Sequence, residues 1–198
     1  NEAGYDLTSG TRNTFVGYRS GYEATTDTSN TGVGYNSLKS SKTSTNNVAI
    51  GDSALEANVD GDANVAVGYL ALRVFEPANG ATYNTAVGYS AGVAMTTGIY
   101  NTLVGGLAGD SITSGQHNVA LGYNALAGED AHGRNIAIGT NALAVQDAGA
   151  DAYNIAIGHN AGLAVSTGTG NTLIGGLAGD ALTEGANNVL LGYDAGGS

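Results

Sequence analysis

A nine-residue sequence motif recurs eleven times along this 198-residue chain and restricts the folds that the chain can adopt. Each copy begins with Asn, continues through three mostly apolar residues to Gly, and closes with two variable residues, a small residue, and Gly or Leu. Eight of the ten intervals between copies are 17 residues, and the other two are 20 and 19. Such a fixed period is typical of a solenoid, in which each repeat forms one coil stacked on its neighbours. The opening residues are Asn13, Asn30, Asn47, Asn64, Asn84, Asn101, Asn118, Asn135, Asn154, Asn171 and Asn188.

We number the coils 1 to 11 in chain order and count positions within each coil from its Asn. The repeats run almost from end to end, so we expect one elongated domain over 13–198 after a lead-in at 1–12. Gly is abundant at 33 residues, but the regularly spaced Val, Ile and Leu argue against a disordered Gly-rich chain. We therefore predict an all-β parallel β-solenoid (β-roll) of about eleven 17-residue coils with two short strands per coil, the second following the corner Gly through the Ala or Ser at position eight.

The first strand of each coil is apolar on both faces. In coil 7, Val119 and Leu121 at positions two and four share one face, and Ala120 at position three points the other way. A strand with one solvated face would alternate apolar and polar residues. We expect one set to fill the coil and the other to pack against a second copy of the chain, unless small Ala side chains simply stay exposed. We take position three as the candidate interface: Phe15, Ala49, Ala66, Ala86, Leu103, Ala120, Ala137, Ala156, Leu173 and Leu190.

Two residue types recur in all eleven coils, which indicates a role in building the rod. Gly at position five follows the strand, where the chain turns a corner and a positive φ is needed. The Asn at position one is expected to form a hydrogen-bonded ladder with its copies in neighbouring coils, which lie about 4.8 Å away. The position-five residues are Gly17, Gly34, Gly51, Gly68, Gly88, Gly105, Gly122, Gly139, Gly158, Gly175 and Gly192.

The phrases at Asn47–Gly51, Asn135–Gly139 and Asn154–Gly158 resemble the Asn-x-Val-Ala-Ile-Gly repeat of YadA-like heads in trimeric autotransporter adhesins. The looser form at Asn13–Tyr18 and Asn84–Tyr89 is similar to β-roll repeats of phage tail fibres. The resemblance covers residues 10–196. It implies a left-handed, trimeric β-roll, located extracellularly at a cell surface or in a virion tail fibre. The coils here are longer than those of the adhesin heads, and Tyr often follows the corner Gly.

Composition limits the partners. The net charge of −11 argues against nucleic acid, since phosphate backbones need clustered Lys and Arg. The absence of Cys removes disulfides and thiolate metal sites, and no apolar run approaches the roughly 18 residues that span a bilayer. We expect no membrane insertion of this segment. Because the chain begins with Asn1 rather than Met, we expect a processed product or a piece of a longer protein.

Exposed aromatic rings and interrupted coils are the candidates for ligand binding. The two long intervals add residues at 73–83 and 145–153, where inserted loops often form a binding surface, although they could equally be remnants of duplication. Tyr rings at position six could stack on sugars, or they could simply pack on neighbouring coils. The surface-binding candidates are Tyr69, Tyr89, Arg73, Phe75, Tyr83 and Tyr153.

These patterns favour a non-enzymatic, rod-like trimeric attachment module that binds a host receptor, glycan or matrix protein. No acid, base and nucleophile converge at a recognisable spacing, so we expect no enzyme activity. Gly105–Asp110 and its copy at 175–180 are similar to calcium-binding nonapeptides with one Gly displaced, so we expect no cofactor and keep calcium as the alternative. A purely structural spacer and an ice-binding solenoid are the alternative functions. Ice binding needs an unbroken array of Thr on one face, whereas Val and Ile interrupt the Thr residues at position two.

Overall fold

Eleven three-residue strands, one per coil, stack into a single parallel sheet that runs the length of the solenoid. The computed structural model describes residues 2–78, 80–129 and 131–197, and no helix occurs among them. The main-sheet strands are β1 (Thr14–Val16), β2 (Thr31–Val33), β3 (Val48–Ile50), β5 (Val65–Val67), β7 (Thr85–Val87), β8 (Thr102–Val104), β9 (Val119–Leu121), β10 (Ile136–Ile138), β11 (Ile155–Ile157), β12 (Thr172–Ile174) and β13 (Val189–Leu191). The predicted parallel β-solenoid, with turns of about 17 residues, is confirmed.

The register is uniform because each position pairs with the same position in the next coil. Ala49 lies opposite Ala66 across a 17-residue step. The pairing of Val65 with Thr85 survives the 20-residue step, and that of Ile136 with Ile155 survives the 19-residue step. The additional residues at 73–83 and 145–153 therefore leave the main sheet undisturbed. Asn79, within the first of these segments, lies outside the described residues.

The prediction of a second strand through position eight is wrong, because the described residues there form a turn. Positions seven and nine both have positive φ, as at Asn36 (52°) and Leu38 (50°), and an extended strand cannot include such residues. Among the described residues, a second set of parallel pairings lies just before the Asn in the early coils. It consists of bridges joining Thr11, Thr28 and Thr45, and of strands β4 (Gly61–Asp62) and β6 (Gly80–Ala81).

Position three fills the interior of the solenoid, so its assignment to an interface between copies is wrong. In all eleven strands the middle residue is the most buried of the three. Eight of the ten candidates are fully or almost fully buried: Ala49, Ala66, Ala86, Leu103, Ala120, Ala137, Ala156 and Leu173. Phe15 and Leu190, in the end coils, pack against the same core. The face available to a partner is formed by positions two and four.

Within the described part of the chain, no helix has the length and hydrophobicity that a membrane crossing requires.

Candidate functional site

The repeated Asn residues form a ladder inside the rod. At all ten steps the backbone N–H of one Asn donates to Oδ1 of the Asn in the preceding coil, at 2.8–3.1 Å. In eight coils the Nδ2 donates to a carbonyl 14 residues further along the chain, as from Asn101 to Gly115 at 2.8 Å. The ladder thus mainly joins side chains to backbone. These buried amides are occupied in holding successive coils together.

The corner glycines are also structural. All eleven have φ between 124° and 144°, a region that side-chain-bearing residues rarely adopt. An added Cβ on Gly122 would stand 2.6 Å from the carbonyl oxygen of Gly139 in the next coil. The same collision with the next coil's glycine occurs along the whole column up to Gly175. Close stacking and backbone conformation therefore both require Gly at this corner.

An uncharged, largely apolar strip covers the outer face of the main sheet. It contains 17 Val, Ile or Leu residues and five Thr, and none of them is buried. Leu121 exposes 45% of its surface and Leu191, in the last coil, 74%. This apolar strip comprises positions two and four: Thr14, Val16, Thr31, Val33, Val48, Ile50, Val65, Val67, Thr85, Val87, Thr102, Val104, Val119, Leu121, Ile136, Ile138, Ile155, Ile157, Thr172, Ile174, Val189 and Leu191.

The Tyr residues at position six lie on the surface, and two pairs of them stack between neighbouring coils. The ring centroids of Tyr18 and Tyr35 are 5.5 Å apart, and those of Tyr69 and Tyr89 are 5.3 Å apart, with rings within 20° of parallel. Each ring in a stacked pair covers one face of the other. Such pairs stabilise the folded chain by about 0.5–1.5 kcal/mol more than the burial of their surface alone. Packing between coils is therefore one role of this row.

A second row of planar side chains precedes the Asn in coils 5 to 9, and we call it the aromatic column. Its members are Tyr83, Tyr100, His117, Arg134 and Tyr153. Tyr100 stacks on Tyr83 with ring centroids 5.8 Å apart and on His117 at 4.9 Å. The guanidinium of Arg134 lies 5.7 Å from the ring centroid of Tyr153. The Tyr triplet is visible in the sequence, but the inclusion of His117 and Arg134 follows only from stacking the coils.

A polar groove of about 160 Å³ lies beside this column and includes one of its members. It is lined by Ser114, Gln116, Ala131, Arg134 and Asp151. The Nε of Arg134 donates to Oδ2 of Asp151 at 2.7 Å, and Oδ1 accepts the N–H of Gly133 at 3.2 Å. The hydrogen bond from Arg134 is the main reason that the pKa of Asp151 lies below its ordinary value. The groove therefore offers a fixed charge pair and two uncharged polar side chains.

The surface-binding candidates fall into two groups. Tyr69, Tyr89, Tyr83, Arg73 and Tyr153 are exposed, as expected.

Phe75 is fully buried, so its assignment to the surface is wrong. It packs in the hydrophobic core, because position twelve of the coil points inward.

Two of the three glycines in Gly105–Asp110 have packing roles. Gly105 forms the corner described above. Gly109 lies against Ile112 and Leu103, whose Cδ1 and Cδ2 are 2.7 Å and 2.9 Å from the place that a Cβ would take. Burial raises the pKa of Asp110. A different group, Glu129, His132 and Asp147, brings three potential metal-ligand atoms within 4.8 Å of one another. Sequence reasoning missed this cluster, because its members come from two adjacent coils.

Comparison with protein-family models, with curated proteins and with solved structures gives no match to this chain. Its function must therefore be inferred from the apolar strip, the aromatic column and the polar groove.

Proposed function

We propose that this chain is a non-enzymatic, rod-like segment of a trimeric attachment fibre. In this arrangement the apolar strips of three chains meet at a common axis, and the aromatic columns stay at the surface. The single observation that carries the proposal is the apolar strip, because 22 outward positions in eleven coils contain no charged residue. A solvated sheet face would be expected to carry polar side chains at these positions. The resemblance to adhesin heads and tail-fibre repeats favours three copies rather than two.

The size of the strip supports a partner. Eleven strands at about 4.8 Å spacing make a rod on the order of 50 Å long. With a width of about 10 Å, the strip covers on the order of 500 Å², near the upper end of what a monomer exposes. In a trimer each strip contacts two others, so the apolar area removed from water grows with every copy.

Attachment requires a surface that remains free in the trimer. The aromatic column and the polar groove supply one, because they lie off the main sheet. Sugars are recognised by stacking on aromatic rings together with hydrogen bonds from paired polar groups, and both occur here. We propose a host-surface glycan as the ligand and an extracellular location, in a virion tail fibre or at a cell surface. A chain that trimerises but binds no glycan would be a structural spacer.

The mass in solution tests the assembly. Light scattering is expected to give three times the chain mass of 19.6 kDa. Replacing Ile138 and Ile157 with Lys places two charges in the strip and should release folded monomers. Replacing exposed Thr97, which lies outside the strip, with Lys is the matched control and should leave the mass unchanged. A monomeric unmodified chain would remove the basis of the proposal.

Ice binding is the second candidate, and one observation favours it. Thr14, Thr31, Thr85, Thr102 and Thr172 all lie on the outer face of the flat sheet, at position two. Val and Ile interrupt this row in the other coils, so the array of hydroxyls is incomplete. Thermal hysteresis in a solution of the chain would favour ice binding over attachment, and normal freezing would leave the fibre proposal in place.

A further inference from the structure

The repeat supplies an internal standard, because every position can be compared with the same position in other coils. Position twelve points inward and is apolar in six of ten coils, as with Phe75, Met95 and Ile112. Three other coils carry an uncharged polar residue there, and these residues are also fully buried: Ser41, Asn58 and Gln146. In coil 7 this position holds Glu129, which is also fully buried. A buried carboxylate is costly unless a cation or several hydrogen bonds compensate for its lost hydration. Glu129 is the one charged residue at position twelve, so its neighbours must offset a charge that no other coil places there.

A second departure lies three residues further along the same coil. Position fifteen is Gly in five other coils, at Gly61, Gly98, Gly115, Gly168 and Gly185, but it is His132 in coil 7.

The His132 carbonyl accepts a hydrogen bond from Nδ2 of Asn118, as the Gly115 carbonyl does from Asn101. The backbone role of this position thus needs no side chain. The imidazole Nδ1 is buried without a hydrogen-bond partner, 3.7 Å from Oε1 of Glu129.

The third member of the cluster comes from the next coil. Position thirteen varies along the chain, with Thr in four coils and a charged side chain in four, and in coil 8 it is Asp147. The carboxylate of Asp147 lies close enough that one ligand atom from each of Glu129, His132 and Asp147 falls within 4.8 Å of the others. Asp147 is exposed, and His132 is half-buried. The cluster is therefore closed on the core side by Glu129 and open to solvent on the side of Asp147.

We infer that Glu129, His132 and Asp147 form a binding site for a divalent metal ion of the zinc type. Zn²⁺ binds both imidazole nitrogens and carboxylate oxygens, and three protein ligands leave its fourth tetrahedral position for water. Ligand atoms about 2.1 Å from a tetrahedral ion are about 3.4 Å apart, so the 3.7 Å between Nδ1 and Oε1 is close to that spacing. A rotation of the exposed Asp147 side chain closes the remaining gap. The imidazole nitrogen disfavours Ca²⁺ and Mg²⁺, which prefer oxygen ligands.

The Glu129 carboxylate already has protein partners that hold it in place. Oε1 accepts the backbone N–H of His132 at 3.1 Å, and Oε2 accepts Nδ2 of Asn135 at 3.3 Å. Such outer hydrogen bonds orient a ligating carboxylate. The competing interpretation is a simple ion pair between Glu129 and a protonated His132. That pair needs no contribution from Asp147, which makes Asp147 the residue that separates the two interpretations.

The experiment is a Zn²⁺ titration of the metal-stripped full chain in competition with a chromophoric chelator. We expect one Zn²⁺ per chain and a higher unfolding temperature with the metal bound. H132G and E129I introduce residues that other coils already carry at these positions, so both variants should fold. Each should weaken Zn²⁺ binding more than the roughly 10–100-fold that changes outside the ligand shell cause. H159G, which removes a surface histidine elsewhere, should bind like the unmodified chain.

The remaining outcomes decide whether Glu129, His132 and Asp147 bind a zinc-type ion. D147T should also weaken Zn²⁺ binding at least tenfold, and an unchanged affinity would support the ion pair and overturn the site. Absence of saturable Zn²⁺ binding, or equal loss in H159G, would likewise overturn it. Calcium in place of zinc should bind at least tenfold more weakly, and tighter calcium binding would refute the assigned class of metal. The site lies within one chain, so these results do not depend on the proposed trimer.

Discussion

Leu103 occupies the space that a side chain on Gly109 would need, with its Cδ2 only 2.9 Å from the place of a Cβ there. The same relationship joins Phe15 to Gly21 and Leu173 to Gly179, each pair within one coil. Coils with Ala at position three often reverse it: Ala49 is followed by Leu55, and Ala120 by Leu126, and all four residues are fully buried. In nine of the eleven coils, positions three and nine therefore hold one large side chain between them. In the other two coils, leucines of the adjacent coils fill the space beside Gly92 and Gly162.

This exchange predicts a compensating pair of substitutions. G109L alone should lower the free energy of unfolding by about 1–3 kcal/mol, because it overpacks the coil. L103A alone should lower it by about 2–5 kcal/mol, because it leaves a cavity. The double variant carries the Ala and Leu that coil 4 has at these positions beside a large residue at position twelve. Ile112, whose Cδ1 lies 2.7 Å from the place of the new Cβ, must still shift, so the double variant should lose less than the sum of the two single losses. Leu55 already has φ of 50° at position nine, so the backbone at Gly109, with φ of 56°, accepts Leu. Urea unfolding of the four proteins measures the coupling, and strictly additive losses would contradict a shared volume.

Substitutions at two corner glycines should separate the steric clash with the next coil from the backbone strain of a positive φ. G122A should destabilise the rod strongly, because the new Cβ meets the Gly139 carbonyl and φ is 138°. G192A faces a φ of 124° with no atom within 4 Å of the new Cβ, so only the backbone strain remains. Such strain costs on the order of 1–3 kcal/mol. Thermal unfolding should therefore show a larger loss for G122A, and equal losses would show that stacking against the next coil contributes little.

The aromatic column predicts a selective loss of glycan binding. Y83A and Y153A should reduce binding on a glycan array or to host cells. Y83A breaks one stacked pair, as Y69A does, so these two variants should lower the unfolding temperature by similar small amounts. Y69A is the matched control, because Tyr69 stacks on Tyr89 in the position-six row outside the column. It should lower the unfolding temperature slightly and leave binding intact. A loss of stability without a loss of binding in Y83A and Y153A would assign the column to packing alone.

The groove predicts a pH dependence with a definite sign. The hydrogen bond from Arg134 lowers the pKa of Asp151 in the folded chain, relative to about 3.9 in the unfolded chain. The pair therefore contributes stability above the unfolded pKa, and that contribution is lost as the pH falls through the folded pKa. Because both side chains are exposed, the effect on stability is small, and the titration itself is the better measurement. A carboxyl NMR titration should give Asp151 a midpoint below 3.9, and R134Q should raise it toward that value.

An unchanged Asp151 midpoint in R134Q would show that the charge pair does not form in solution.

The repeat by itself determined the solenoid, the step between coils, the corner at Gly122 and its copies, and the Asn ladder. In-register stacking places the same position of every coil in the same environment. A residue type that one coil needs at that position is therefore needed in every coil, and it recurs in the sequence at a fixed interval. The departures at Glu129 and His132 are also visible in the sequence once each coil is compared with the others.

Only the tertiary structure decided which face of each strand is inside. Both faces are apolar, and a period of two residues separates the faces without saying which one lies inward. The positive φ values of Asn36 and Leu38 turn the chain back where a second strand was expected, and this turn makes the coil narrow. A narrow interior accepts Ala120 together with Leu126 and leaves Val119 and Leu121 outside. Likewise, only the stacking of coil 8 on coil 7 brings Asp147 to Glu129 and His132, because their proximity depends on the path of the chain around one full turn.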